Sequence, residues 1–230
     1  MTPAIEVRGL RYRYPDGTLA LDGIDFDLRS GETVVLFGAN GSGKTTFVLH
    51  LNGLLRGEGS VKIGGLALSA STLSDIRTRV GVVFQDSDAQ LFMPTVLEDV
   101  AFGPLNLGLS SSEAVDRARS MLERVGMSAV ASKASFHLSA GEKKRVAIAG
   151  VLAMEPEILV LDEPTTFLDP PARRDLIALL RELPQSKVLV THDVELARSL
   201  ATRAVFFEKG RVAGDGPVDD IARRFGWRAQ

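Results

Sequence analysis

Thr33-Val34-Val35-Leu36-Phe37-Gly38-Ala39-Asn40-Gly41-Ser42-Gly43-Lys44-Thr45-Thr46-Phe47-Val48-Leu49 is the stretch that decides the fold. Its first five residues suit a buried strand, and a glycine-rich octapeptide separates them from a run of helical character. Strand, Gly38–Thr45, then helix is the context in which G-x-x-x-x-G-K-[ST] forms a phosphate-binding loop. Gly38, Gly41 and Gly43 let the backbone N–H groups of this loop, with Ala39, Asn40, Ser42 and Thr46 among them, curl around phosphate oxygens. The helix N-terminus adds positive potential, Lys44 reaches the β- and γ-phosphates, and the Thr45 hydroxyl is placed for magnesium.

Outward from this loop, further short apolar runs stand at Val80–Phe84, Ile158–Leu161, Val188–Val190 and Ala204–Phe207. Unbroken apolar runs predict strands buried on both faces, hence a parallel sheet covered by helices. Ile5-Glu6-Val7-Arg8 and Ile24-Asp25-Phe26-Asp27-Leu28 instead alternate, with Pro15-Asp16-Gly17 between them. These predict a half-exposed antiparallel sheet near the N-terminus. Between Asp86 and Glu155 the pattern is helical, at Thr95–Phe102, Ser111–Val125 and Glu142–Met154, and Ser110-Ser111-Ser112-Glu113 supplies a helix cap. The expected organisation is one domain over 1–230 with a helical insert over 86–155.

The 230 residues carry 27 basic and 29 acidic side chains, no cysteine and three histidines. Thiol catalysis, cysteine-bound zinc and iron–sulfur clusters are excluded, and the histidines, of which His50 and His137 read as structural or exposed, make no metal cage. The absence of disulfides fits a reducing compartment. A formal charge of −2 provides no polybasic field for nucleic acid. The longest strongly apolar stretch, Val146–Met154, is far below the roughly 18 residues of a membrane span, and no leader is expected at Met1-Thr2-Pro3-Ala4.

Ile158-Leu159-Val160-Leu161-Asp162-Glu163 places two acids at the end of a buried strand, where parallel α/β sheets hold their ligands. Asp162 is suited to hold magnesium and Glu163 to polarise an attacking water. Leu138-Ser139-Ala140-Gly141-Glu142 then opens a helix. With the phosphate loop and the acidic pair, it resembles the signature of the ATP-binding cassette family, usually Leu-Ser-Gly-Gly-Gln. The departures are Ala140, strained if that position needs positive φ, and Glu142, a charge close to phosphate. Gln85, Thr165-Thr166-Phe167-Leu168-Asp169 and His192 fall in the family's order.

The resemblance implies an α/β fold, a P-loop NTPase (RecA-like) core with an N-terminal antiparallel β subdomain and an inserted α-helical subdomain. It implies ATP and Mg2+ as ligands and hydrolysis of ATP to ADP and phosphate. Tyr14 is then the aromatic that stacks on adenine, with Tyr12 the second candidate. Gln85 touches magnesium or water, Glu163 activates water, His192 meets the γ-phosphate, and Asp169 couples the two sites of a dimer. Thr45, Gln85 and Asp162 form the magnesium set, while Ser139, Ala140, Gly141 and Glu142 act in trans on a second subunit.

Phe84-Gln85-Asp86-Ser87-Asp88-Ala89-Gln90-Leu91-Phe92, Pro94-Thr95-Val96 and Glu98–Pro104 narrow the resemblance to energy-coupling factor transporters. There, a pair of ATPases, identical or different, drives a membrane T component and a substrate-capturing S component from the cytoplasmic face of the cell membrane. Leu91, Phe92 and Met93, rimmed by Asp86 and Asp88, are expected to form a groove for a basic coupling helix. The solute expected is a vitamin or transition-metal ion, cobalt, nickel or biotin, and the missing C-terminal extension inclines the reading to biotin. Lys143-Lys144-Arg145 reads as a solvated face and Arg223–Trp227 as a frayed helix end. Two alternatives are a cassette ATPase of DNA repair or translation, which needs coiled-coil heptads or two cassettes, and a small-molecule phosphotransferase, which leaves Ser139 without a role.

Overall fold

In the computed structural model, which describes residues 2–227, β1 (Ile5–Arg13) and β2 (Leu19–Leu28) pair antiparallel around the Pro15-Asp16-Gly17 turn. β3 (Thr33–Phe37) leads through the phosphate loop into α1 (Lys44–Leu51). β4 (Glu58–Ile63) and β5 (Leu66–Ala67) complete a sheet of order β2-β1-β4-β5. α2 (Leu73–Arg79) precedes β6 (Val80–Val83), and α3 (Val96–Asn106), α4 (Ser111–Arg124) and α5 (Ala140–Leu152) intervene before β7 (Ile158–Asp162). Then follow α6 (Pro170–Glu182), β8 (Ser186–Val190), α7 (Val194–Leu200), β9 (Arg203–Glu208), β10 (Arg211–Pro217) and α8 (Val218–Arg224). The second sheet runs β10-β9-β3-β8-β7-β6, parallel from β9 to β6, with β10 antiparallel at one edge.

Alternate residues of the central strands feed two cores. Val34, Leu36, Val160 and Val190 pack with the antiparallel sheet and α1, whereas Val35, Phe37, Leu161 and Leu189 pack with the helices. Every residue of β7 and β8 is buried. Each such aliphatic side chain contributes about 1.5–3 kcal/mol relative to exposure, which is why these runs carry no polar alternation. β3 and β7 flank β8 in parallel, so the phosphate loop and Asp162 emerge at the same sheet edge.

Several elements go beyond the periodicity. β4 is exposed over Glu58-Gly59-Ser60, and β10 is broken by Gly214, Gly216 and Pro217, so neither shows an apolar run. α3 continues through Pro104 because a proline in the last turn leaves the earlier helical bonds intact. Two expectations are corrected. Lys144 is 2% exposed, lying on the same face of α5 as Ala147 and Ile148, and donates to the carbonyls of Phe84 and Gln85 at 2.9 and 2.8 Å. Arg223–Trp227 is not a frayed end: Gly226, at φ 64°, ends the helix, and the Trp227 N–H donates to the Ala222 carbonyl at 2.7 Å.

Candidate active site

Gly43 stands at the N-cap of α1 with φ 105° and no capping side chain, leaving the first N–H groups of the helix facing the loop. A Cβ on Gly38 would lie 2.3 Å from the Phe207 carbonyl oxygen, and one on Gly43 would lie 2.7 Å from that of Ala20. Only glycine fits at either place. Ser42 Oγ is buried without a hydrogen-bond partner among the described residues, as a hydroxyl suited to a phosphate oxygen would be. Lys44 Nζ donates to the carbonyls of Gly38 and Ala39 at 2.6 and 3.0 Å. Burial lowers its pKa, and the carboxylates of Glu163 and Asp162 oppose that shift.

At the end of β7, Asp162 Oδ2 accepts from the Thr45 hydroxyl at 3.1 Å. Two oxygen donors in contact, one a carboxylate, suit the hard magnesium ion, which keeps part of its coordination for water and phosphate. Burial raises the pKa of Asp162, against the Thr45 hydroxyl, Lys44 and Lys144. Glu163 is half-buried and has φ 44°, a left-handed conformation that costs on the order of 1–3 kcal/mol in a non-glycine residue. Its N–H donates to the Val190 carbonyl at 2.9 Å, which helps to hold the turn. Burial chiefly, with Asp162 adding to it, pushes the Glu163 carboxyl up to about 7. A carboxylate poised there can take a proton near neutral pH. Among the described residues no hydrogen-bond donor meets its buried Oε1, and His192 Nε2 lies 3.2 Å away. Burial, then Lys44, lowers the His192 pKa.

Tyr14 and Tyr12 differ in their surroundings. The Tyr14 hydroxyl hydrogen-bonds with Thr46 Oγ1 at 3.0 Å, beside the phosphate loop. Tyr12 packs edge-on against buried His50, whose Nδ1 lies 2.7 Å from the Thr46 carbonyl. His137 is exposed. Gln85, exposed, shares a small cleft with Ala140, Lys144, Thr166 and Phe167. Asp169 is exposed and caps α6, accepting from the Ala172 N–H at 2.8 Å.

The signature opens α5. Ala140 is an ordinary helical residue, so no positive φ strains it. Glu142 turns back on the cap: its Oε2 accepts from the Ser139 N–H and from the Ser139 hydroxyl, both at 2.8 Å. These bonds hold its pKa below the usual carboxylate range. A Cβ on Gly141 would lie 2.9 Å from Ala172 Cβ, so α5 starts tight against α6.

The expected groove needs correction in its lining. Leu91 is 8% exposed and belongs to the core; Phe92 is 62% exposed and stacks edge-on against Phe102 at 5.0 Å. Both border a groove of about 620 Å3 between α2, α3 and α5, with Arg77 and Leu107. Met93 does not line it, and Asp86 and Asp88 border the cleft of Gln85 instead. Asp88 is engaged by Lys143 at 2.6 Å. The acid in the groove is Asp99, which periodicity did not single out. It is buried, and its Oδ1 accepts the N–H groups of Phe92 and Met93 at 2.9 Å each. Its place one turn into a capped helix is the signal that was available.

The family model for ABC transporters matches residues 21–166. The chain belongs to the ATP-binding cassette transporter family. It is 54% identical over 224 residues to a putative ABC transporter ATP-binding protein of Gloeobacter violaceus, covering 96% of this chain and 92% of the relative. It is 50% identical over 225 residues to the energy-coupling factor transporter ATP-binding protein EcfA of Methanothermobacter thermautotrophicus, covering 95% of this chain and 72% of that one. Among solved structures, cbiO1 of Clostridium perfringens, part of the ABC transporter complex cbiONQ, superposes with a TM-score of 0.87 at 36% identity over 98% and 92% of the two chains. The cassette MJ0796, in a dimeric post-hydrolysis state with ADP and Pi, gives 0.83 at 30% identity over 93% and 98%. The protein is thus an ABC ATPase with the P-loop fold expected from the sequence. Among the described residues no helix is long and apolar enough to cross a membrane.

Proposed function

We propose that this ABC ATPase powers an energy-coupling factor importer, held to the cytoplasmic face of the cell membrane by a T component, with a separate S component capturing the solute. The observation that carries the reading is the groove beside Phe92, which joins an exposed aromatic pair to the helix pinned by Asp99. The EcfA and cbiO1 likenesses support it. The solute class is a vitamin such as biotin or a transition-metal ion such as cobalt or nickel. A role in DNA repair or translation has no such support.

The residues divide the chemistry. Loop N–H groups, Ser42 and Lys44 bind and orient the phosphates, and Tyr14 offers its ring to adenine. Thr45, Asp162 and Gln85 would hold magnesium, which would supply charge neutralisation to the bound phosphates. Glu163 accepts the proton of the attacking water, and His192 holds the terminal phosphate beside it. Asp169 and Ser139–Glu142 serve a second copy, or a second cassette ATPase, across the dimer.

Phe92 projects into solvent, so Phe92→Asp leaves the fold intact while placing a charge in the groove. Nucleotide affinity is expected to stay within about twofold, while pull-down of the membrane components is lost; retention of the complex would place the docking surface elsewhere. Glu142→Gln tests the signature. Glutamine keeps the capping box and removes the charge that occupies the Ser139 hydroxyl. Half-saturation by ATP is expected to fall several-fold, and an unchanged value would show that Glu142 swings clear of the phosphate.

A further inference from the structure

We propose that Trp227 is a positioning residue for His192, clamping the imidazole so that Nε2 stays beside Glu163. This rests on the reading that His192 meets the terminal phosphate. The two rings lie 5.5 Å apart between centroids at an interplanar angle of 28°, a stacked arrangement. No protein hydrogen bond among the described residues holds His192 Nδ1, the atom by which a working histidine is usually oriented. The indole face takes that place.

The indole is itself fixed from several sides. Phe206 meets it edge-on at 5.5 Å, and Phe37, the residue before the phosphate loop, lies at 6.2 Å. Phe225 stacks face to face on Phe206 at 3.9 Å and 3°, with the Arg224 guanidinium 5.1 Å from its centre. The left-handed Gly226 is what turns the chain back, so that Trp227 returns beneath α8 instead of continuing outward. The basic-aromatic segment therefore ends at the catalytic loop, and one side chain touches both the end of β3 and the histidine after β8.

The test uses the full chain and three variants, Trp227→Ala, Trp227→Phe and His192→Ala. In spectra of ring-labelled histidine, the protein's three histidines give separable signals, with His192 assigned by its loss in His192→Ala. The indole ring current is expected to shift the His192 ring protons, and Trp227→Ala should return them toward the position of a histidine with no aromatic neighbour, while His50 and His137 stay in place. Turnover of Trp227→Ala should fall about 10-fold, short of the roughly 10²-fold that a misplacement of an ångström can cost. Half-saturation by ATP should change by less than twofold, Trp227→Phe should recover most of the rate, and Trp227→Ala should add no further loss to His192→Ala.

Unmoved His192 signals, or full turnover in Trp227→Ala beside a crippled His192→Ala, would overturn the clamp. A loss in Trp227→Ala that persists in the His192→Ala background would also overturn it, because the tryptophan would then act through another group. Full turnover in His192→Ala together with moved ring signals would instead reject the catalytic reading of His192.

Discussion

Lys44→Ala is expected to weaken ATP binding by roughly 10- to 100-fold, the scale of one charge-assisted hydrogen-bond set, and to lower turnover by on the order of 10²–10³-fold. The ammonium is buried at 6% exposure and is held by the carbonyls of Gly38 and Ala39, so its position is set by the loop before any phosphate arrives. Its charge also faces Asp162 and Glu163, where it opposes the rise that burial gives both carboxyls. Removing it therefore loses phosphate binding and raises the proton affinity of the acids together. Isothermal titration with ATP and magnesium, and steady-state phosphate release, measure the two effects. The thermal midpoint should move little, because alanine keeps the helical register and the two carbonyls can turn to water. Undiminished turnover would remove this loop from the active site.

The parallel sheet and the phosphate loop were legible because burial on both faces forbids polar residues in the central strands, and Gly38 and Gly43 have no room for a side chain. The β4 and β10 strands were not: β10 is an edge strand, which tolerates glycine and charge, and β4 leaves its Glu58-Gly59-Ser60 end exposed, so neither carries an apolar run. At the site, Asp162 and Glu163 stood out because charge at the end of an apolar strand has few other uses. Lys144 stayed hidden inside a basic run. Only the three-dimensional path of the Phe84–Gln85 carbonyls shows why an ammonium is buried there, with burial bringing its pKa down to about 8. The groove was half legible: the aromatic character of Phe92 is in the chain, but its rim depends on which way the Asp86–Met93 loop turns, and Asp99 decides that.

Glu163→Gln is expected to lower turnover by at least about 10²–10⁴-fold, the range for loss of a general base, while leaving the shape of the site unchanged. ATP then remains in place, and the consequence reaches beyond one chain. Ser139 donates its hydroxyl to Glu142, and on the proposed reading the signature acts on the nucleotide held by a second subunit. Two identical chains satisfy a two-fold arrangement in which each α5 N-terminus meets the phosphate held by the other. Light scattering of Glu163→Gln with ATP and magnesium should therefore report near twice the 24.7 kDa of one chain. ADP should not support that mass, because the terminal phosphate is the shared element. Adding Ser139→Arg places a bulky side chain where the signature meets phosphate and should return the protein to a monomer. Dimers that survive Ser139→Arg would move the interface away from the signature. A monomer at saturating ATP in Glu163→Gln alone would mean either that the membrane partner is needed to align the two halves or that a different cassette ATPase is the natural partner.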